Sequence, residues 1–313
     1  MDLSKIPIMA NPSGAPPNFV DPPSLHNTAV GLGISLMVMS GLVLILRLIT
    51  NWKISRLGLD DYLCMFAQAG GMSYWILYYM VSERGISRHA WDVPVTIMTV
   101  HFIQLQASIQ IVIAPTLWAA KSAVLALYIR LFGSIRWLKI TCYIWIGFMA
   151  LFYSSNIVIA VVYCIPRKSE AWDGTSFQRC SKSTWSAVVI GVFSALADLV
   201  IFALPFPIIL KLRVTPAKKL GLVILFLTGL VLVAMSILSL VFRVKTFKGL
   251  DPTWNGTSTA IITFAEVFGT VIVACAPALS AFWLKIFTKS SLWSSSDGFS
   301  KKQIRCMMIR YSS

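Results

Sequence analysis

The 313-residue chain has no stretch long and polar enough to fold as a soluble domain, because Asp, Glu, Lys and Arg together supply only 12% of it. Ordinary soluble domains carry roughly 25%. Histidine is scarcer still, with only His26, His89 and His101, and the six cysteines (Cys64, Cys142, Cys164, Cys180, Cys275 and Cys306) contain no C-x-x-C pair. These absences exclude a histidine-based metal site, a zinc module and thioredoxin-like chemistry, so no metal is expected. There is no glycine-rich phosphate loop and no nucleophile and base pair, so the chain is not expected to be an enzyme and no cofactor is implied. No internal repeat or inverted symmetry relates the two halves, which weakens a transporter reading.

What is abundant is apolar surface. Hydrophobic residues make up 57% of the chain and its mean hydropathy is +0.76, the composition of an integral, multi-pass membrane protein whose first partner is the lipid bilayer. A formal charge of +15 invites a nucleic-acid reading. That reading needs basic residues gathered on one arm or face with interleaved aromatics; here they fall in short clusters between apolar runs, so no nucleic-acid partner is expected.

A spanning helix needs about 20 mostly apolar residues. That criterion predicts an all-α protein with seven transmembrane helices, at Ala29–Ile49, Leu59–Val81, Ala107–Leu131, Leu138–Tyr163, Trp185–Leu210, Leu220–Phe242 and Ser258–Leu284. The third run begins near Val95 and contains Pro94 and Pro115. Two spans would leave no room for a turn, so one long helix projecting into water with His101, Gln104, Gln106 and Gln110 is expected. Residues 1–28, with six prolines, read as a flexible extracellular tail and not as a cleaved signal. Residues 29–287 form the membrane domain and 288–313 a basic cytosolic tail suited to anionic headgroups, with Cys306 as a weak palmitoylation candidate.

Orientation follows from Lys and Arg counts. Sixteen flank one set of span ends and ten the other, which places the N-terminus outside and the C-terminus in the cytosol. On that count the loop containing Cys164 and Cys180 lies outside, where disulfides persist. A bridge between them would close a loop of fifteen residues, worth roughly 3 kcal/mol on the chain-entropy view. The sequon Asn255-Gly256-Thr257 also falls outside, as a glycosylation candidate close to the seventh helix.

Ionisable residues inside hydrocarbon are costly, and they face the bundle interior, where they pair or line a wet cavity. Lys121 in the third span and Asp198 in the fifth sit at comparable depth, so an ion pair between them is expected; the alternative is that Lys121 extends toward the interface. Glu266, about eight residues into the seventh span, is a candidate to line an outward-facing pocket, with interhelical hydrogen bonding as the alternative. Asp60 and Asp61 open the second span, where a helix N-terminus favours carboxylates. Capping accounts for one; the other has Arg47, Arg56 or Arg130 within reach. Pro205 and Pro207 mark a hinge or a helix end, and Gly70, Gly71 and Gly229 allow close helix contact.

Taken together, Cys164-x-Pro166, Trp172, Cys180, Asp198, Pro205, Pro207 and Leu212 resemble the fungal rhodopsin-domain integral membrane proteins. That group includes GPCR-like receptors of filamentous fungi and membrane proteins associated with secondary-metabolite clusters. Gly58-x-Asp60-Asp61-Tyr62 is similar to the family's entry to its second helix, Lys121-Ser122 through Tyr128-Ile129-Arg130-Leu131-Phe132 to its third, and Glu266 with Pro277 to its last. Ser194 stands where the family often has asparagine, and the cysteine-rich extracellular domain of some receptor-like members is absent. The resemblance implies a seven-helix receptor-like or sensor protein, with a small-molecule ligand outside and a G protein or other cytosolic partner at Arg130. A small-metabolite transporter or channel using Lys121, Asp198 and Glu266 is the alternative. The plasma membrane or another endomembrane is its expected location. No retinal is implied, since the lysine nearest the expected position, Lys285, stands at the cytosolic end of the last helix.

Overall fold

The computed structural model describes residues 5–54, 57–133, 135–166, 174–207 and 216–289. Arg56, Trp172, Leu212 and the tail from residue 290 onward, with Cys306, lie outside them. The described residues include seven long α-helices: α1 (His26–Ile54), α2 (Leu59–Val81), α3 (Val100–Phe132), α4 (Arg136–Cys164), α6 (Thr184–Ala203), α7 (Pro216–Phe247) and α8 (Pro252–Lys289). A short helix, α5 (Gly174–Ser181), lies between α4 and α6. No strand forms among the described residues beyond two isolated antiparallel bridges, Pro7 with Pro94 and Ser24 with Arg88. Helices dominate because backbone groups in hydrocarbon must be satisfied within their own segment.

Among the described residues, six helices are long and apolar enough to cross a membrane by length and composition. The exception is α2, whose 23 residues include Asp60, Asp61, Gln68 and three glycine or serine positions at Gly70, Gly71 and Ser73. It is nonetheless held within the bundle, packed against α3 and α8. Burial separates the centre from the rim: 67% of the apolar windows of α3 and α8 is buried, against 22% in α1 and α4. Leu42 on α1, Ile144 and Leu151 on α4 and Val231 on α7 point outward, more than half exposed, as lipid-facing side chains do.

The sequence places the helices correctly but cuts several short. The third helix starts at Val100, with the Thr99 hydroxyl accepting from Phe102 N–H at 3.3 Å as its cap. Its 33 residues span about 50 Å at 1.5 Å per residue, well beyond a ~30 Å hydrocarbon core. It is one helix through Pro115. The fifth expected span, read to Leu210, has its regular α-helix end at Ala203. Pro205 and Pro207 lack the N–H groups that would continue the ladder, and Leu204–Pro205 form a turn.

Glycines set the α2 to α3 and α2 to α8 distances. A Cβ on Gly70 would lie 2.3 Å from Thr116 Oγ1 and 3.1 Å from both its Cβ and Cγ2, so rotating the threonine gives no relief. A Cβ on Gly71 would lie 2.8 Å from the Phe268 ring. Gly70→Ala is therefore expected to cost about 1–3 kcal/mol in detergent unfolding. Gly31→Ala on the open face of α1, where nothing lies within 4 Å, is expected to be neutral or slightly stabilising.

One end of the bundle, here termed the tail end, carries the N-terminal segment. Composition alone predicts a flexible tail, yet residues 6–25 are tied to the α2–α3 connection. Ile8 N–H donates to Val93 O and Val95 N–H to Ile6 O, each at 2.9 Å, and Leu25 N–H donates to Ser87 O at 2.8 Å. Asn18 N–H donates to Asp92 Oδ1 at 2.8 Å. Prolines give up donors and favour extended backbone, and that backbone pairs here with another extended segment. The same connection is fixed to α8 by His89, stacked between Trp91 and Trp254 at 4.6 and 4.0 Å. His89 Nδ1 lies 2.5 Å from Asp251 Oδ2.

Candidate functional site

The centre of the bundle holds Lys121 of α3, Asp198 of α6 and Glu266 of α8. All three come from apolar runs, and each faces inward, as do the buried residues one turn away on the same face, Leu117 and Leu125 on α3, Ser194 on α6, and Ile262 and Thr270 on α8. Lys121 Nζ donates to Asp198 Oδ1, lies 2.9 Å from Glu266 Oε1 and reaches the Ser194 carbonyl at 3.3 Å. Ser194 Oγ donates to Glu266 Oε1 at 2.7 Å, Tyr153 OH donates to Ser194 Oγ at 3.5 Å, and Ser236 Oγ donates to Asp198 Oδ2. Five helices, α3, α4, α6, α7 and α8, thus meet at one polar knot. The side chains of Lys121, Asp198 and Glu266 are 1%, 8% and 3% exposed. Desolvating such charges costs several kcal/mol each unless they are paired and hydrogen-bonded, so this arrangement is what makes them tolerable.

A cavity with about 30 Å³ of room for water centres borders Lys121 and Asp198 and continues past Tyr128, Phe202, Pro205 and Gly229. That is room for one or two waters. It lies on the side of the cluster away from the tail end. Of the two expectations for Glu266, an outward pocket and interhelical hydrogen bonding, the contacts give the second: its carboxylate is bound to Lys121 and Ser194.

The opposite end, termed the arginine end, has a second buried cluster. Arg47 of α1 donates through Nε to Asp61 Oδ1 at 2.7 Å, through Nη2 to Asp60 Oδ2 and through Nη1 to the Ala274 carbonyl of α8. Asn51 Nδ2 donates to Asp61 Oδ1 at 2.8 Å. Arg130 of α3 donates to Asp60 Oδ2 at 3.0 Å and Asp61 Oδ2 at 3.3 Å. Asp61 also caps α2, accepting from Gly58 N–H at 2.9 Å. Capping and ion pairing, posed as alternatives for the two aspartates, coincide in Asp61.

Two clusters on a shared pair of helices, spaced along α3 and α8, define the core that sequence comparison then places. The model of the fungal rhodopsin domain matches residues 46–285. The chain belongs to the fungal rhodopsin domain family. A SAT4 family membrane protein of Emericella nidulans is 26% identical over 222 residues, covering 70% of this chain and 55% of that protein. Fugralins biosynthesis cluster protein 2 of Gibberella zeae is 26% identical over 292 residues, covering 87% of this chain and 69% of its own length. The chain thus spans little more than half of the first of these relatives. No solved structure matches it.

Within this fungal rhodopsin domain, Cys164 and Cys180 are joined by a disulfide, with Cα atoms 4.4 Å apart. It fastens the end of α4 to α5, and Arg179 adds hydrogen bonds to the Tyr163 and Ile165 carbonyls at 3.1 and 2.9 Å. Asn255, the glycosylation candidate, lies against backbone. It is 7% exposed in the first turns of α8, and its Nδ2, the atom a glycan would need, donates to the Leu250 and Asp251 carbonyls. Pro205 lines the cavity, which places the break in α6 beside the buried cluster. Pro277 lies within α8.

Sequence reasoning named Ser194 only as a departure from the family pattern, and missed Ser236, Tyr153 and Asn51. The spacing of Ser194 and Asp198, four residues apart on one helix face, was the available signal. Ser236 had none, since a lone serine in an apolar helix usually bonds its own backbone.

Proposed function

We propose that this protein is a receptor-like or sensor membrane protein in which a small-molecule ligand shifts the helices joined at the Lys121 cluster, and the arginine end reports the shift. The observation that carries this reading is that α3 and α8 each belong to both clusters. Lys121 and Arg130 lie nine residues apart on α3, and Glu266 and Ala274 eight apart on α8, about 12–14 Å of helix in each case. Sliding α3 against α8 changes both sets of pairs together, and packed interfaces of this kind have discrete arrangements. A ligand switches such a bundle only by binding one arrangement better than the other.

In this reading the tail end is outside and the arginine end faces the cytosol, as the sixteen-to-ten split of basic residues favours. The plasma membrane is the natural site for such a sensor. A G protein or another cytosolic partner would read the arginine end. The biosynthesis-cluster name of the Gibberella zeae relative fits a small metabolite as the ligand. The cavity beside Lys121 and Asp198 favours a second reading, passage of a small solute or ion.

The test is a ligand screen on the full chain in lipid, read as thermal stabilisation, with solute flux measured in liposomes. A ligand at 100 times its Kd is expected to stabilise by about 2.7 kcal/mol without flux. Solute flux that is abolished by Asp198→Asn would replace the sensor with the transporter.

A further inference from the structure

At the tail end, the connection between α2 and α3 meets the start of α8 around one histidine that belongs to neither buried cluster. The His89 ring lies within 6° of parallel to both indoles, with Trp91 at 4.6 Å and Trp254 at 4.0 Å. Its Nδ1 is 2.5 Å from Asp251 Oδ2. Asp251 is held for this contact: its backbone takes a left-handed φ of 43°, and its Oδ1 accepts from Ala90 N–H at 2.9 Å. The Thr253 hydroxyl, in the first turn of α8, donates to the Arg88 carbonyl at 2.7 Å. Other charged groups on the segments that meet here are turned elsewhere. Asp92 accepts from Asn18 N–H, the Arg88 guanidinium lies against Gly85, and Glu83 pairs with His26 at 3.6 Å. Lys5 and Asp21 of the N-terminal segment and Lys248 after α7 are exposed.

An aromatic face attracts a cation within about 6 Å of its centroid, and a hydrogen bond between charged partners is roughly twice as strong as a neutral one. Two indoles and a carboxylate around one imidazole therefore favour the imidazolium. Histidine is the side chain whose charge ordinarily changes between about pH 5 and 8. The geometry points to a proton-operated latch: His89, taking up a proton, fastens the α2–α3 connection to the start of α8 through Asp251 and Trp254. With Asp251 as acceptor, Nδ1 carries a hydrogen in both charge states, so the proton exchanged is on Nε2, in a side chain 24% exposed to solvent. A hydronium ion gives its proton to Nε2, one N–H bond forms, and the neutral ring becomes a cation. Acid tightens the latch. As pH rises Nε2 loses its proton while Asp251 stays ionised, and the latch falls back to a neutral hydrogen bond. The same helix carries Glu266 and the Ala274 carbonyl into the two buried clusters, so the latch governs how firmly α8 is held at its first turn. It operates whichever compartment the tail end faces; with the tail end outside, as proposed above, the signal is external acidity.

Hydrogen exchange of the full chain in lipid nanodiscs, followed by mass spectrometry at about pH 5.5 and about pH 8, reads the latch through the Ala90 amide that donates to Asp251. Exchange times are scaled for the intrinsic effect of pH. Protection of the segment holding Ala90 is expected to be about tenfold greater at the lower pH. His89→Gln, whose amide still donates to Asp251 but takes up no proton, is expected to level the two values, and Asp251→Asn to do the same. His26→Gln and His101→Gln are expected to keep the difference. Equal protection in the wild type, or a difference that survives His89→Gln, overturns the latch. Should His89→Gln fail to fold, loss of the difference in His26→Gln or His101→Gln overturns it instead.

Discussion

Arg47→Leu is expected to lose about 3–5 kcal/mol of stability, the range for removing one partner from a buried ion pair. Arg47 is 1% exposed and its guanidinium serves three acceptors on two other helices: Asp60 and Asp61 of α2 and the Ala274 carbonyl of α8. Its removal leaves two carboxylates that are 4% and 0% exposed with the partly exposed Arg130 as their counter-charge. Arg47→Lys keeps the charge but not the planar fork, so an intermediate loss is expected. Arg130→Ala removes a contact whose guanidinium is 20% exposed and whose hydrogen bonds to the aspartates are 3.0–3.3 Å long. Partly solvated pairs contribute about 0–1 kcal/mol. The ordering, Arg47→Leu worst and Arg130→Ala mildest, is read by SDS or thermal unfolding; equal losses would contradict the assignment of Arg47 as the centre of this cluster.

Lys121→Met is the second large effect, again about 3–5 kcal/mol. The substitution keeps much of the side-chain volume, so the loss reports charge and hydrogen bonding more than a cavity. It leaves Asp198 and Glu266 facing each other without the ammonium that both contact. Asp198→Asn alone is expected to be milder, because the amide oxygen still accepts from Lys121, the amide NH2 donates to the rotated Ser236 hydroxyl, and Glu266 balances the lysine. A Lys121→Met protein no less stable than Asp198→Asn would show that the lysine is dispensable to the knot.

The seven helices were legible because hydrocarbon imposes a length and a polarity on each span. Their ends were not. Residues 252–257 of α8 lie beyond the apolar run, where the 38-residue helix continues on local packing that hydropathy does not report. The pairing of Lys121 with Asp198 was legible from depth alone, since both sit mid-span on helices running in the same direction. Glu266 was visible as an anomaly with two readings, a pocket or an interhelical bond, because depth does not say which way a side chain faces. The folded-down N-terminal segment was illegible for a different reason: its partners, such as Val93 and Asp92, are distant in sequence and make mainly backbone bonds, which have no side-chain signature.

The most direct test of the account is a double-mutant cycle on Lys121→Met and Asp198→Asn, with unfolding free energies measured in one lipid or detergent system. Residues in one ion-pair network couple by about 0.5–3 kcal/mol, whereas independent sites add to within about 0.3–0.5. The buried cluster predicts that the double variant is less destabilised than the two single losses combined, by about 1–3 kcal/mol. Additive losses would contradict it, and with it the claim that this charged knot ties α3 to α6.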